Sequence, residues 1–234
     1  MRRLKVWGSS YVQQEFVMTI SVVEALINPG KFFQEKMGQE ESLMIPALIL
    51  LVVGAIGMVS AYLVSGVTMR LMPADVQTYA TLVVVIGGVS AVIGAFLLWV
   101  IFSVIFFVIS ALLGGKGSFR RTLEFVGYGY LPQAIGAVIS LVIIFTYVSS
   151  VVVTPVSDLT MLQSAVQQLT KNPLLQLASL VGVLFVLWSA NIWIFGMKYA
   201  RNLATRDAAL AVGIPIVAYI VYMLYTTFGT VGAL

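Results

Sequence analysis

YATLVVVIGGVSAVIGAFLLWVIFSVIFFVISALL, residues 79–113, runs for 35 residues without an Asp, Glu, Lys or Arg. How often this stretch crosses a membrane decides the fold. As a helix it is about 50 Å long at ~1.5 Å per residue, against a hydrocarbon layer of about 30 Å. Two crossings and a turn do not fit comfortably in that length. One helix that overruns the bilayer or kinks at Gly87-Gly88 does.

Four further stretches exceed the roughly 18 apolar residues that span hydrocarbon. They are Met44–Thr68, Phe125–Val153, Leu174–Lys198 and Ala208–Thr230, and none has a charged residue in its interior. Backbone in lipid must satisfy its own hydrogen bonds, so each is read as a helix. The composition agrees: 60% of the 234 residues are hydrophobic and 9% charged, whereas a soluble domain carries about 25% charged residues. The expected fold is an all-α polytopic bundle of five transmembrane helices.

The cations support that count. Arg2, Arg3, Lys5, Lys31 and Lys36 precede the first span; Lys116, Arg120 and Arg121 follow the second; Lys198, Arg201 and Arg206 follow the fourth. The alternate loops hold only Arg70 and Lys171, so eleven cations face two. Positive residues stay on the cytoplasmic side. The N-terminus is therefore expected in the cytoplasm and the C-terminus outside, and splitting residues 79–113 into two spans would destroy the alternation. Arg2-Arg3 does not read as an export signal, because Gly8, Ser9, Ser10, Gln13, Gln14 and Glu15 intervene before any apolar run.

With no Cys and no His, thiolate catalysis, disulfides, zinc fingers, histidine-ligated haem and a Ser-His-Asp relay are excluded. No cofactor, metal or nucleic-acid partner is expected.

Residues 1–42 read as a cytoplasmic amphipathic segment, and residues 43–234 as the transmembrane domain. Phe16, Ile20, Val23 and Ile27 keep a helical rhythm that stops at Asn28-Pro29-Gly30. Lys31-Phe32-Phe33-Gln34-Glu35-Lys36 forms a second short amphipathic piece. Two arrangements use its apolar face equally well: a helix in the membrane interface with Phe32 and Phe33 as wedges, or a helix packed under the bundle.

Small residues recur every four positions: Gly57, Ala61 and Ser65; Gly87, Ala91 and Ala95; Ala178 and Gly182; Ala209 and Gly213. Such stripes let helices approach closely in lipid; the alternative is a narrow solute path. Of the polar groups inside spans, Gln133 neighbours Pro132, and Asn191 reads as an interhelical hydrogen bonder or a site marker. Tyr219 is deep enough to need a partner, while Tyr225 suits the interface.

The loop after the second span, Gly114-Gly115-Lys116-Gly117-Ser118-Phe119-Arg120-Arg121-Thr122-Leu123-Glu124, leads into Gly127-Tyr128-Gly129-Tyr130-Leu131-Pro132. Glycines end the span and Ser118 is placed to cap the next helix. A phosphate-cradling loop needs G-x-x-x-x-G-K-[ST]. Here Gly117 follows Lys116 and Ser110 stands at the first glycine position, so that motif is rejected. What remains is a cationic, amide-rich helix start suited to a lipid phosphate or an acidic protein face, or cations that fix topology alone. The last hairpin echoes it weakly, with Thr205 in the place of Ser118 and Gly213 in that of Gly127.

Asn28-Pro29-Gly30-Lys31-Phe32-Phe33, and the Gly-Lys-Gly-Ser-Phe-Arg-Arg-Thr-Leu stretch running to Gly-Tyr-Gly-Tyr-Leu-Pro, resemble the Yip family of five-span membrane proteins (Ypt/Rab-interacting proteins). The resemblance covers Asn28 to the C-terminus. It implies a helical membrane protein without known catalysis, whose eukaryotic relatives act in vesicle traffic, bind prenylated small GTPases and shape membranes. The short tail before the first span looks like the compact bacterial or archaeal form, which in a prokaryote sits in the cell membrane. GTPase binding is therefore not carried over.

Three functions are weighed. The first is a non-enzymatic membrane organiser or adaptor that binds lipids with anionic headgroups and protein partners through an inner cationic surface of Lys116, Arg120, Arg121, Lys198, Arg201 and Arg206. The second is a facilitator or channel for a small uncharged solute, since coupled carriers place ionisable groups inside the bilayer and this chain has none there. The third, an intramembrane enzyme, needs titratable groups brought together. Asp75 and Asp158 fall on the outer side; Glu124 and Asp207 begin the two inner helices, where they suit helix N-termini electrostatically.

Overall fold

The structure is a computed structural model that describes residues 22–72, 79–156 and 161–229. Arg2, Arg3, Lys5, Phe16, Ile20, Asp75 and Asp158 lie outside the described residues. Residues 22–27 are helical. Among the described residues eight helices follow: α1 (Pro29–Lys36), α2 (Met44–Met69), α3 (Ala80–Leu112), α4 (Phe119–Tyr128), α5 (Leu131–Ser150), α6 (Leu162–Thr170), α7 (Pro173–Ala200) and α8 (Thr205–Phe228). Among the described residues five runs are long and apolar enough to cross a membrane: α2, α3, α4 continuing into α5, α7 and α8. The protein is an all-helical, integral multi-pass membrane protein.

The long stretch that decides the count is one continuous helix of 33 residues, unbroken at Gly87-Gly88. It stops where the glycines require it to. Gly114 takes φ +83°, a left-handed value that a side chain disfavours. Gly114 N–H donates to Ala111 O at 3.1 Å and Gly115 N–H to Ser110 O at 2.8 Å, closing the end of the helix.

The third span departs from the sequence reading, which ran it unbroken from Phe125. A short amphipathic helix, α4, comes first, and α5 begins afresh at Leu131 with Pro132 in its first turn. Proline suits that position because the first-turn N–H groups have no helical partner. The sequence reading above places no helix at α6, although Leu162, Val166 and Leu169 keep helical spacing in it.

Around the bundle, α2 packs on α3 and α5, α5 on α7, α7 on α8, and α8 on α3, so the spans form a closed ring. Small stripes set one contact. A Cβ on Gly57 would meet Ala91 at 3.7 Å, and one on Gly87 would meet Ser65 Oγ at 3.7 Å. The stripes of α2 and α3 therefore face each other, which favours packing over a solute path. Gly182 lies against Met223 of α8 in the same way. Gly213 does not follow: nothing lies within 4 Å of its Cβ position.

The middle of the ring is aromatic. The indole of Trp193 (α7) stacks on Phe102, meets Phe106 and Tyr130 edge-on, and Phe102 in turn meets Tyr219 of α8. That ring contact is the partner the structure gives Tyr219, while Tyr225 is 62% exposed.

Candidate functional site

The ends of α3 and α7, the starts of α4 and α8, and α1 gather at one end of the bundle. Helix α4 organises it. Ser118, in extended backbone, accepts a hydrogen bond from Arg121 N–H at 3.0 Å, capping the helix as its sequence predicts. The same hydroxyl donates to Glu41 Oε1 at 2.6 Å. Arg121, Glu124, Phe125 and Tyr128 then fall on one helical face, spaced three, four and seven residues on from the first. All four are buried.

Neighbouring helices hold α4 by its carbonyls. Trp99 Nε1 of α3 donates to Leu123 O at 2.8 Å, and Trp193 Nε1 of α7 donates to Val126 O at 2.7 Å. These approaches explain the Gly-Tyr-Gly-Tyr sequence. A Cβ on Gly127 would come within 2.5 Å of Pro46 Cβ, and a Cβ on Gly129 would lie inside the Trp193 indole.

The six cations proposed for an inner surface divide into two groups. Arg121 is 7% exposed: its Nη1 lies 2.7 Å from Glu124 Oε2, and its Nη2 donates to Gln39 O at 2.6 Å. Arg201 is 3% exposed, just past the end of α7. Its Nε donates to Ser110 Oγ at 2.9 Å, its Nη2 to Gly115 O at 2.8 Å, and its Nη1 to Gly117 O, with the guanidinium 4.1 Å from the Phe107 ring centre. Burial pulls the pKa of Arg201 below its ordinary value, yet arginine stays protonated. Lys116 N–H donates to Arg201 O at 2.7 Å, so the two hairpins meet backbone to backbone.

Lys116, Arg120 and Arg206 are exposed and Lys198 is half-buried. Arg120 lies 3.9 Å from Glu41, and the Lys198 ammonium sits over the Tyr199 ring at 5.5 Å. Sequence alone does not separate Arg120 from Arg121; the helical face they fall on does.

Three expectations at this end are corrected or decided. Phe32 and Phe33 are 3% and 0% exposed, so they pack under the bundle and are not wedges in the interface. Phe33 lies 4.6 Å from the Phe125 ring and Phe32 lies 5.0 Å from Tyr128. Asn28-Pro29-Gly30 ends the helix before it, but it also starts α1: Asn28 accepts from Lys31 N–H at 3.3 Å, and Pro29 and Gly30 lie inside the new helix. The echo of Ser118 at Thr205 does not cap, since Ala204 holds the cap position and Thr205 is the first helical residue. Lys31 Nζ donates to Glu24 Oε1 at 2.7 Å, and Glu24 raises the Lys31 pKa, with a further contribution from Glu35.

Glu124 is fully buried and paired with Arg121, with the Lys36 ammonium 3.8 Å away. Asp207 sits in the first turn of α8. Gln133 Nε2 reaches Ser189 Oγ at 3.4 Å. Asn191 does not act as a hydrogen bonder between helices of the bundle, because its side chain lies on the exposed flank of α7.

A family model for the Yip1 domain matches residues 23–226. An uncharacterized protein of the archaeon Methanocaldococcus jannaschii is 33% identical over 129 residues, which are 55% of this chain and 92% of that protein. No solved structure matches.

Proposed function

The chain belongs to the Yip1 domain family, and from that premise we propose that it is a non-enzymatic membrane organiser or adaptor whose cytoplasmic face engages anionic lipid headgroups and a protein partner. The observation that carries this reading is the division of labour among the inner cations. Arg121 and Arg201 spend their donors on carboxylate, hydroxyl and carbonyl groups of the chain itself. That internal frame presents Lys116, Arg120, Lys198 and Arg206 at the rim of the same end, where a headgroup phosphate would lie. Each cation held near an anionic surface contributes about 1 kcal/mol.

The aromatic filling of the ring favours this reading over a solute path. Cavities of about 440 and 270 Å³ adjoin Tyr62, Val84 and Val85 of α2 and α3, the larger reaching Val148 of α5, and neither is lined by the aromatic residues in the middle of the ring. The test is lipid capture by the purified protein in nanodiscs of mixed zwitterionic and anionic lipid. The combined variant Lys116→Gln, Arg120→Gln, Arg206→Gln is expected to lose its enrichment of anionic lipid while keeping its melting temperature. Unchanged enrichment would mean the cations serve topology alone.

A further inference from the structure

Helix α7 shows lipid a stripe with an odd member. Leu177, Leu180, Leu184 and Leu187 are 47%, 42%, 65% and 52% exposed. Asn191, the next residue in the series, is exposed as well, and Ile194 after it is half-buried. The steps alternate three and four residues, which is the heptad spacing of a helix that pairs with another helix. A leucine stripe alone would need only lipid. The carboxamide needs more. Asn191 lies ten residues before Arg201, about 15 Å along the axis and thus within hydrocarbon. Among the described residues no hydrogen bond reaches its side chain, and lipid tails offer none.

We propose that a second copy of this chain covers the stripe, with α7 paired against α7 and Asn191 hydrogen bonded to Asn191 of the other copy. Insertion gives every copy the same orientation, so two α7 helices meet in parallel about an axis normal to the membrane. Residues on that axis face themselves at equal depth. A carboxamide both donates and accepts, so it satisfies its own twin, which a lysine or a glutamate does not. A single asparagine in a heptad seam also fixes register. Lys198, the step after Ile194, ends the stripe with its ammonium drawn over Tyr199.

The sequence has no cysteine, so single substitutions report proximity directly. Leu184→Cys, Leu187→Cys and, as a control on the lipid face of α5, Val142→Cys would be oxidised in native membranes. Disulfide-linked dimers are expected at Leu184→Cys and Leu187→Cys and not above background at Val142→Cys. Adding Asn191→Leu to Leu187→Cys should reduce the dimer roughly 3- to 20-fold, the weight of one interhelical hydrogen bond in lipid, and Asn191→Gln should largely keep it. Equal crosslinking at Val142→Cys would overturn the pairing. Undiminished crosslinking with Asn191→Leu would overturn the role of the carboxamide.

Discussion

Trp193 Nε1 donates to the carbonyl of Val126 at 2.7 Å. One bond thereby joins the fourth span to the short helix that introduces the third. The ring reaches the carbonyl only because Gly129 has no side chain in its path.

Gly129→Ala should therefore destabilise the protein by about 1–3 kcal/mol, the usual cost of overpacking a core. Gly213→Ala, on an open flank of α8, should be neutral or stabilising, by up to about 1 kcal/mol. Thermal unfolding in detergent compares the two. Equal behaviour would refute the close approach of Trp193.

Arg201→Ala strips hydroxyl and carbonyl acceptors of their charged donor. A loss of about 1.5–3 kcal/mol is expected. Arg201→Lys should restore little of it, because an ammonium cannot span Ser110 and Gly115 together as the planar fork does. Melting midpoints of the two variants decide this.

Neighbouring arginines should behave oppositely. Arg121→Gln leaves the buried Glu124 without its closest cation and should cost about 3–5 kcal/mol. Arg121→Gln with Glu124→Gln should recover much of that loss. Arg120→Gln, at a side chain 66% exposed, should change stability by less than about 0.5 kcal/mol. Equal effects of Arg120→Gln and Arg121→Gln would contradict the buried placement of Arg121.

Phe33→Ala removes a ring packed on Phe125 and beside Gly196. The expected cost is about 3–5 kcal/mol, felt first where α1 docks. Trypsin should then cut at Lys31 or Lys36 in folded, detergent-solubilised protein, whereas the unsubstituted protein resists. Unchanged resistance would place Phe33 outside the core.

Much of this architecture is legible from residue type because lipid is an exacting solvent. Uncharged runs near 20 residues must become spanning helices, and Gly114 announces the end of α3. Ser118 reads as a cap for a similarly local reason. The remainder depends on partners distant in sequence. Nothing in Phe125–Tyr130 alone says that Trp99 and Trp193 will hold α4 by its carbonyls and detach it from α5. Adjacent arginines look alike until the buried face of α4 separates them, although Glu124, three residues after Arg121, was an available signal. Phe32 and Phe33 suit an interface and a core equally well in sequence; only the rings of Phe125 and Tyr128 decide. Asn191 reads in sequence as an interhelical hydrogen bonder or a site marker, because sequence does not say which flank of α7 meets the neighbouring spans.

The proposed placement of these cations on the cytoplasmic side is tested most directly by labelling single-cysteine variants in intact cells with a membrane-impermeant maleimide. Lys116→Cys and Arg206→Cys should label only after the membrane is permeabilised, and Lys171→Cys should label at once. Immediate labelling of Lys116→Cys, or protection of Lys171→Cys, would contradict it.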